Sequence, residues 1–151
     1  MLNLLLLDTH ILKHALGRGI GLRQLCDMAR ACYCLNGKVD AGAMNLISNR
    51  LGICKWNKLL FAFLVDILGL APEFLPYPER DKNAYPLLEI VWKGGNFGMY
   101  PEGKTQGPLN GWRGKMATLR AFLKNLRFSG YYAPKETGWL MWNLVVGQFK
   151  K

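Results

Sequence analysis

The chain has 151 residues, a length that fits one domain able to bury most of the surface its unfolded form exposes. Half of the residues are hydrophobic and a fifth are charged, which excludes a disordered or low-complexity chain and removes any need for a metal or disulfide framework. The net charge of +10 is unevenly placed: residues 1–90 carry ten Lys or Arg against eight Asp or Glu, whereas residues 91–151 carry ten against two. A basic block of this kind attracts polyanions, so nucleic acid, nucleotide phosphates and acidic protein surfaces are the candidate partners.

The opening run MLNLLLLDTH has no basic segment ahead of it and ends at Asp8, too short for a signal sequence or a membrane span. Residues 2–16 are helix-compatible, with Leu5, Ile11, Leu12, Ala15 and Leu16 as apolar positions and Gly17 as the C-cap. After a Gly-x-Gly-x-Gly turn, Leu22 to Cys34 forms a second helix whose apolar side is read from Leu22, Leu25, Cys26, Ala29 and Tyr33. Asp40 caps a third helix that runs to Leu51 and stops at Gly52. The fourth, Trp56 to Leu68, is apolar on several faces, which predicts deep burial, and Gly69 and Pro72 end it.

From Pro72 to Asn83 the chain holds three prolines and five charges and reads as an irregular connection. A short helix is expected over Ala84 to Lys93, then a long loop over residues 94–111 with six glycines and two prolines. Asn110 caps the next helix, in which Trp112, Met116, Leu119, Leu123 and Leu126 form one stripe. Arg113, Arg120, Lys124 and Arg127 form a second stripe about a quarter turn away, a basic ridge able to face phosphates. The final helix, Thr137 to Phe149, carries Trp139, Leu140, Trp142, Leu144 and Val145, which size and spacing assign mostly to the core. The expected fold is all-α: one compact domain, 1–151, of about six or seven helices, with a helical core over 1–71, the connection over 72–83 and a basic helical part over 84–151.

Chemistry is constrained as much by what is missing. His10 and His14 have the i, i+4 spacing of zinc ligands, but Ile11 stands where a metalloprotease needs Glu and no third ligand is near, so no metal site is expected. The glycine turn lacks the Gly-Lys-Ser or Gly-Lys-Thr close of a Walker loop, and no strand precedes it. Ser48 and Ser129, the two serines, stand in no nucleophile elbow, and Glu79 and Asp81 lie among charges of the opposite sign. The four cysteines form no Cys-x-x-Cys pair and read as reduced, small apolar residues of a cytoplasmic protein. What remains is grip. His10, Lys13, His14, Arg18 and Arg23 flank the turn, where helix amides and cationic side chains together suit an anion, and Asn96 is a secondary candidate in the glycine-rich loop.

The run HILKHALGRGIGLRQLCDMA, His10 to Ala29, and the later KGGNFGMY, Lys93 to Tyr100, resemble in the same order two segments of the uncharacterised nucleotidyltransferase-like family of Bacteroides-type bacteria. The resemblance implies a helical region that follows a polymerase-beta-like catalytic domain, whose acidic residues hold magnesium and whose substrate is a nucleoside triphosphate. Those acids are not in this sequence, so the role implied here is recognition of nucleotide, nucleic acid or acceptor without chemistry of its own. Two other readings stand beside it: a stand-alone nucleic-acid-binding module using the basic ridge, and a protein-interaction domain using Trp139 and Trp142 where another domain docks.

Overall fold

A computed structural model describes residues 2–16, 19–94 and 126–149, with side chains for all of these except 93, 94, 140 and 143–149. Among the described residues the fold is all-helical: α1 (Leu2–Leu16), α2 (Leu22–Cys34), α3 (Ala41–Leu51), α4 (Cys54–Asp66), α5 (Tyr85–Gly94), α6 over 126–132 and α7 (Pro134–Phe149). The glycine-rich segment 94–111, apart from Gly94 at the end of α5, and the caps Gly17 and Asn110 lie outside the described residues.

The core is built around α4. Trp56 and the unbroken run Leu59 to Leu64 are fully buried, as periodicity on several faces predicts for a helix enclosed by others. Helices α2, α3 and α5 pack on it, and α1 packs on α2. Each large apolar side chain buried here contributes roughly 1.5–3 kcal/mol, far above the tenths that helix propensity supplies per residue, so the packing of α4 decides the fold. The helix starts two residues before the expected Trp56, with Asn57 N–H donating to the Ile53 carbonyl at 2.9 Å. It ends at Asp66 rather than Leu68, because Gly69 turns the chain at φ 72°.

Capping explains other boundaries. Asp40 accepts from Ala43 N–H at 2.9 Å at the start of α3, and Gly52 ends that helix in the left-handed region at φ 76°. Helix α7 begins three residues ahead of Thr137, since Pro134 suits the first helical position and Thr137 Oγ1 bonds back to the Ala133 carbonyl at 2.8 Å. The connection is more ordered than its composition suggests. Pro72–Phe74 forms a 3-10 turn, Tyr77 is buried against Phe61, and Arg80 bonds Asp66 at 2.6 Å.

Three expectations about exposure need correction. The buried face of α2 is Leu25, Met28 and Cys32, while Leu22, Cys26 and Tyr33 are exposed. On a helix wheel the latter three lie to one side of Leu25 and the buried set spans the other, so the apolar band is wider than the face α1 and α4 can cover. Cys34 is exposed as well, so two of the four cysteines are not core filler. Trp139 and Trp142 are exposed by 62% and 63%, not buried.

Candidate functional site

Helix α1 has two faces with different chemistry. Leu4, Ile11, Leu12, Ala15 and Leu16 face inward; His10 and Lys13 stand on the exposed side, with His14 partly covered. The His10 and His14 rings meet edge to face with centroids 4.5 Å apart. Burial, then the positive charges of His10 and Lys13, hold His14 below its ordinary pKa, so its neutral form predominates at neutral pH. Among the described residues no group of three potential ligands is assembled around a metal position.

The exposed side of α1 forms one wall of a groove of about 470 Å³, and the start of α7 forms the other. From α1 it is lined by Thr9, His10 and Lys13 together with Leu6, Leu12 and Leu16, and from α7 by Glu136 and Trp139. The spacing explains the walls: positions 9, 10 and 13 recur within one helical turn, and 136 and 139 are three apart on a single face. Lys135, next to Glu136, donates from Nζ to the Arg50 carbonyl at 2.8 Å, satisfying an end carbonyl of α3 and fixing where α7 begins. Lys55 stacks over Tyr131 at 3.9 Å and ties α6 to α4. The groove therefore has anchored walls, three leucines beside Thr9, His10 and Lys13 on one and Glu136 with Trp139 on the other.

The five residues singled out around the glycine turn are only partly brought together. His10 and Lys13 share the groove, and His14 touches His10. Arg23 is exposed on the first turn of α2, whose leading amide, Gly21 N–H, is already taken by Gln24 Oε1 at 3.3 Å. Gly19, at φ 102°, bonds its N–H to the His14 carbonyl at 3.1 Å and closes α1. The turn thus spends two of its amides on its own helices. Arg18, Asn96, Arg113, Arg120 and Lys124 lie outside the described residues; Arg127, on α6, is exposed.

A second polar centre was not singled out in the sequence. Asp8 is fully buried, and its Oδ1 accepts from Trp56 Nε1 at 2.7 Å. Asn57 Nδ2 donates to Asp8 Oδ2 at 2.8 Å, and Asn57 Oδ1 accepts from Ser48 Oγ and Tyr77 Oη at 2.9 Å each. Burial pushes the Asp8 carboxyl up to about 7, against the lowering effect of its bonds to Trp56 and Asn57. The same burial, reinforced by Asp8, pushes the Cys32 thiol up to about 12, which leaves it protonated and inert. Tyr77 is likewise held above its ordinary value by burial. The signal was available: Asp8 lies four after Leu4 and three before Ile11, inside the apolar stripe of α1, where a carboxylate must find buried donors. The centre is closed to solvent and every buried side-chain polar atom among the described residues has a partner, so its role is architectural.

Comparison with protein-family models, with curated proteins and with solved structures finds no match to this chain. Among the described residues no helix is long and apolar enough to cross a membrane.

Proposed function

We propose that this protein is a helical accessory module of a nucleotidyltransferase-like system, binding nucleotide or acceptor in the groove between α1 and α7 and leaving bond chemistry to a partner domain. The observation that carries the reading is that Lys13 and His10 line one groove from α1, an ammonium and an imidazole both able to donate to a phosphate. The resemblance of His10 to Ala29 and of Lys93 to Tyr100 to segments of that family favours the same assignment. Magnesium and nucleoside triphosphate chemistry belong, on this reading, to the partner domain, and four free thiols suit a reducing cytoplasm. Calorimetric titration of the protein with nucleotides, paired with a transfer assay in magnesium and labelled nucleoside triphosphate, tests it. Binding without turnover is expected; robust turnover by the chain alone defeats the accessory role.

A second reading rests on the exposure of Trp92, Trp139 and Trp142, at 83%, 62% and 63%. Large aromatic side chains are the usual anchors of protein interfaces, and a partner domain seated on α7 would cover two of them. Under that reading Trp142→Ala weakens association with the partner and leaves nucleotide affinity unchanged.

A further inference from the structure

We propose that the buried centre shared by α1, α3, α4 and the connection is a proton-operated device with two states: when Asp8 takes up a proton the Asn57 amide turns over, and the hydrogen bonds linking Asn57 to Ser48 and Tyr77 reverse direction. A centre closed to solvent offers no place to a ligand, yet it can change state with a proton.

Trp56 fixes where that proton goes. Its indole N–H, a donor only, holds Asp8 Oδ1 at 2.7 Å, which leaves Oδ2 as the oxygen to be protonated. An amide atom of Asn57 lies 2.8 Å from Oδ2, so a hydrogen must stand between the two. When Asp8 is ionised that hydrogen belongs to Asn57, and Nδ2 faces the carboxylate. When Oδ2 is protonated the hydrogen is the acid's own, and Asn57 must present Oδ1. A half turn about the last torsion of Asn57 exchanges its oxygen and nitrogen while the other heavy atoms stay in place.

The far end of the amide suits either orientation. Ser48 Oγ and Tyr77 Oη each lie 2.9 Å from the remaining amide atom, and a hydroxyl can donate or accept. With ionised Asp8 both hydroxyls donate to Asn57 Oδ1, and Nδ2 also reaches the Ile53 carbonyl at 3.3 Å. With protonated Asp8 both hydroxyls accept from Asn57 Nδ2. Each oxygen and nitrogen of these side chains has a partner in both states, so neither state leaves a buried polar atom bare.

The surroundings single out Asp8 as the group that changes charge. Cys32 from α2 and Tyr77 from the connection face it, and burial holds both protonated; Cys54, which faces Tyr77, is also held up by burial. Helices α3 and α4 supply the uncharged Ser48, Trp56 and Asn57, and on α1 itself His10 and Lys13 stand on the exposed side. Burial pushes the Asp8 carboxyl to about 7, so both states are populated around neutral pH.

Nuclear magnetic resonance of the intact, isotopically labelled protein from pH 5 to 9 reads both ends of the device. The Asp8 carboxyl carbon should titrate near pH 7, the ratio of the two states changing about tenfold per pH unit. In step with it, the Asn57 amide hydrogens should give strong nuclear Overhauser contacts to Ser48 and the Tyr77 ring at low pH and exchange them for contacts to Asp8 at high pH. Asp8→Asn carries a permanent donor in place of the acid hydrogen and should keep the low-pH pattern across the range. An Asp8 that titrates while the Asn57 contacts stay fixed overturns the proposal, as does a carboxyl carbon that does not titrate between pH 5 and 9. If Asp8→Asn does not fold, the wild-type titration alone decides.

Discussion

Stability should fall as pH rises from about 4 to about 7, and Asp8 should be the cause. Its carboxyl titrates at 3.8 when solvated and at about 7 in the fold, where it is fully buried. Between those values the folded protein keeps a proton that the unfolded chain has released, so the folded state binds more protons and unfolding becomes easier with rising pH. Each pH unit across that window is worth about 1.4 kcal/mol, so the full effect is about 4 kcal/mol, complete above pH 7. A domain of this size has roughly 5–15 kcal/mol in total, so the change is large enough to dominate a denaturation series. His14, held low by burial and its cationic neighbours, acts in the opposite sense and favours the fold as pH rises toward its ordinary value. Asp8→Asn separates the two. Its oxygen still accepts from Trp56, and its amide nitrogen suits an Asn57 turned over, with Asn57 Nδ2 then donating to Ser48 and Tyr77 across the same 2.9 Å distances. Urea unfolding from pH 4.5 to 8 at fixed ionic strength, by tryptophan fluorescence, gives both curves. Over that range the difference between wild type and variant should grow by about 3 kcal/mol with pH in favour of the variant, the remainder of the effect lying below pH 4.5. Parallel curves refute the reasoning.

Other outcomes follow from single contacts. Trp56→Phe removes the donor to Asp8 Oδ1, and the unsatisfied oxygen should cost roughly 1–3 kcal/mol, more at pH 8 than at pH 5; equal losses at both would contradict the network. Asp40→Ala should lose about 1 kcal/mol in urea melts with the cap of α3. Gly52→Ala should lose on the order of 1 kcal/mol or more, since the residue sits at φ 76° and an added Cβ would lie 3.0 Å from Lys135 Cδ. Thiol labelling by an aromatic disulfide should proceed rapidly at Cys26 and Cys34 and reach the buried Cys32 only on unfolding, as peptide mapping would show.

Most helix boundaries were legible because they are written in local chemistry. Asp40 and Gly52 bracket α3 where a cap and a left-handed glycine were expected, and α2 spans Leu22–Cys34 as its periodicity predicts. Which face a helix buries was harder to see, since that depends on distant neighbours. Tyr33 belongs to the apolar pattern of α2 yet packs its ring on Phe74, outside the core. Trp139 and Trp142 look like core by size, but a residue's size does not say whether a neighbouring helix arrives to cover it. Of the groove's eight lining residues only His10 and Lys13 were read as candidate anion contacts; that Glu136 and Trp139 lie across from them was not legible, because no local pattern reports which segment faces α1. Asp8 escaped notice for a related reason, its donors Trp56 and Asn57 being supplied by a helix some fifty residues further along.

The Lys135 contact with the Arg50 carbonyl has a consequence for assembly order. Near neighbours in the chain, α1 to α4, can find each other quickly, whereas the wall bearing Glu136 must travel back from the far terminus before the cleft exists. Ligand affinity should therefore be the last property to appear on refolding and the first to vanish under mild denaturant, ahead of the bulk of the helical signal.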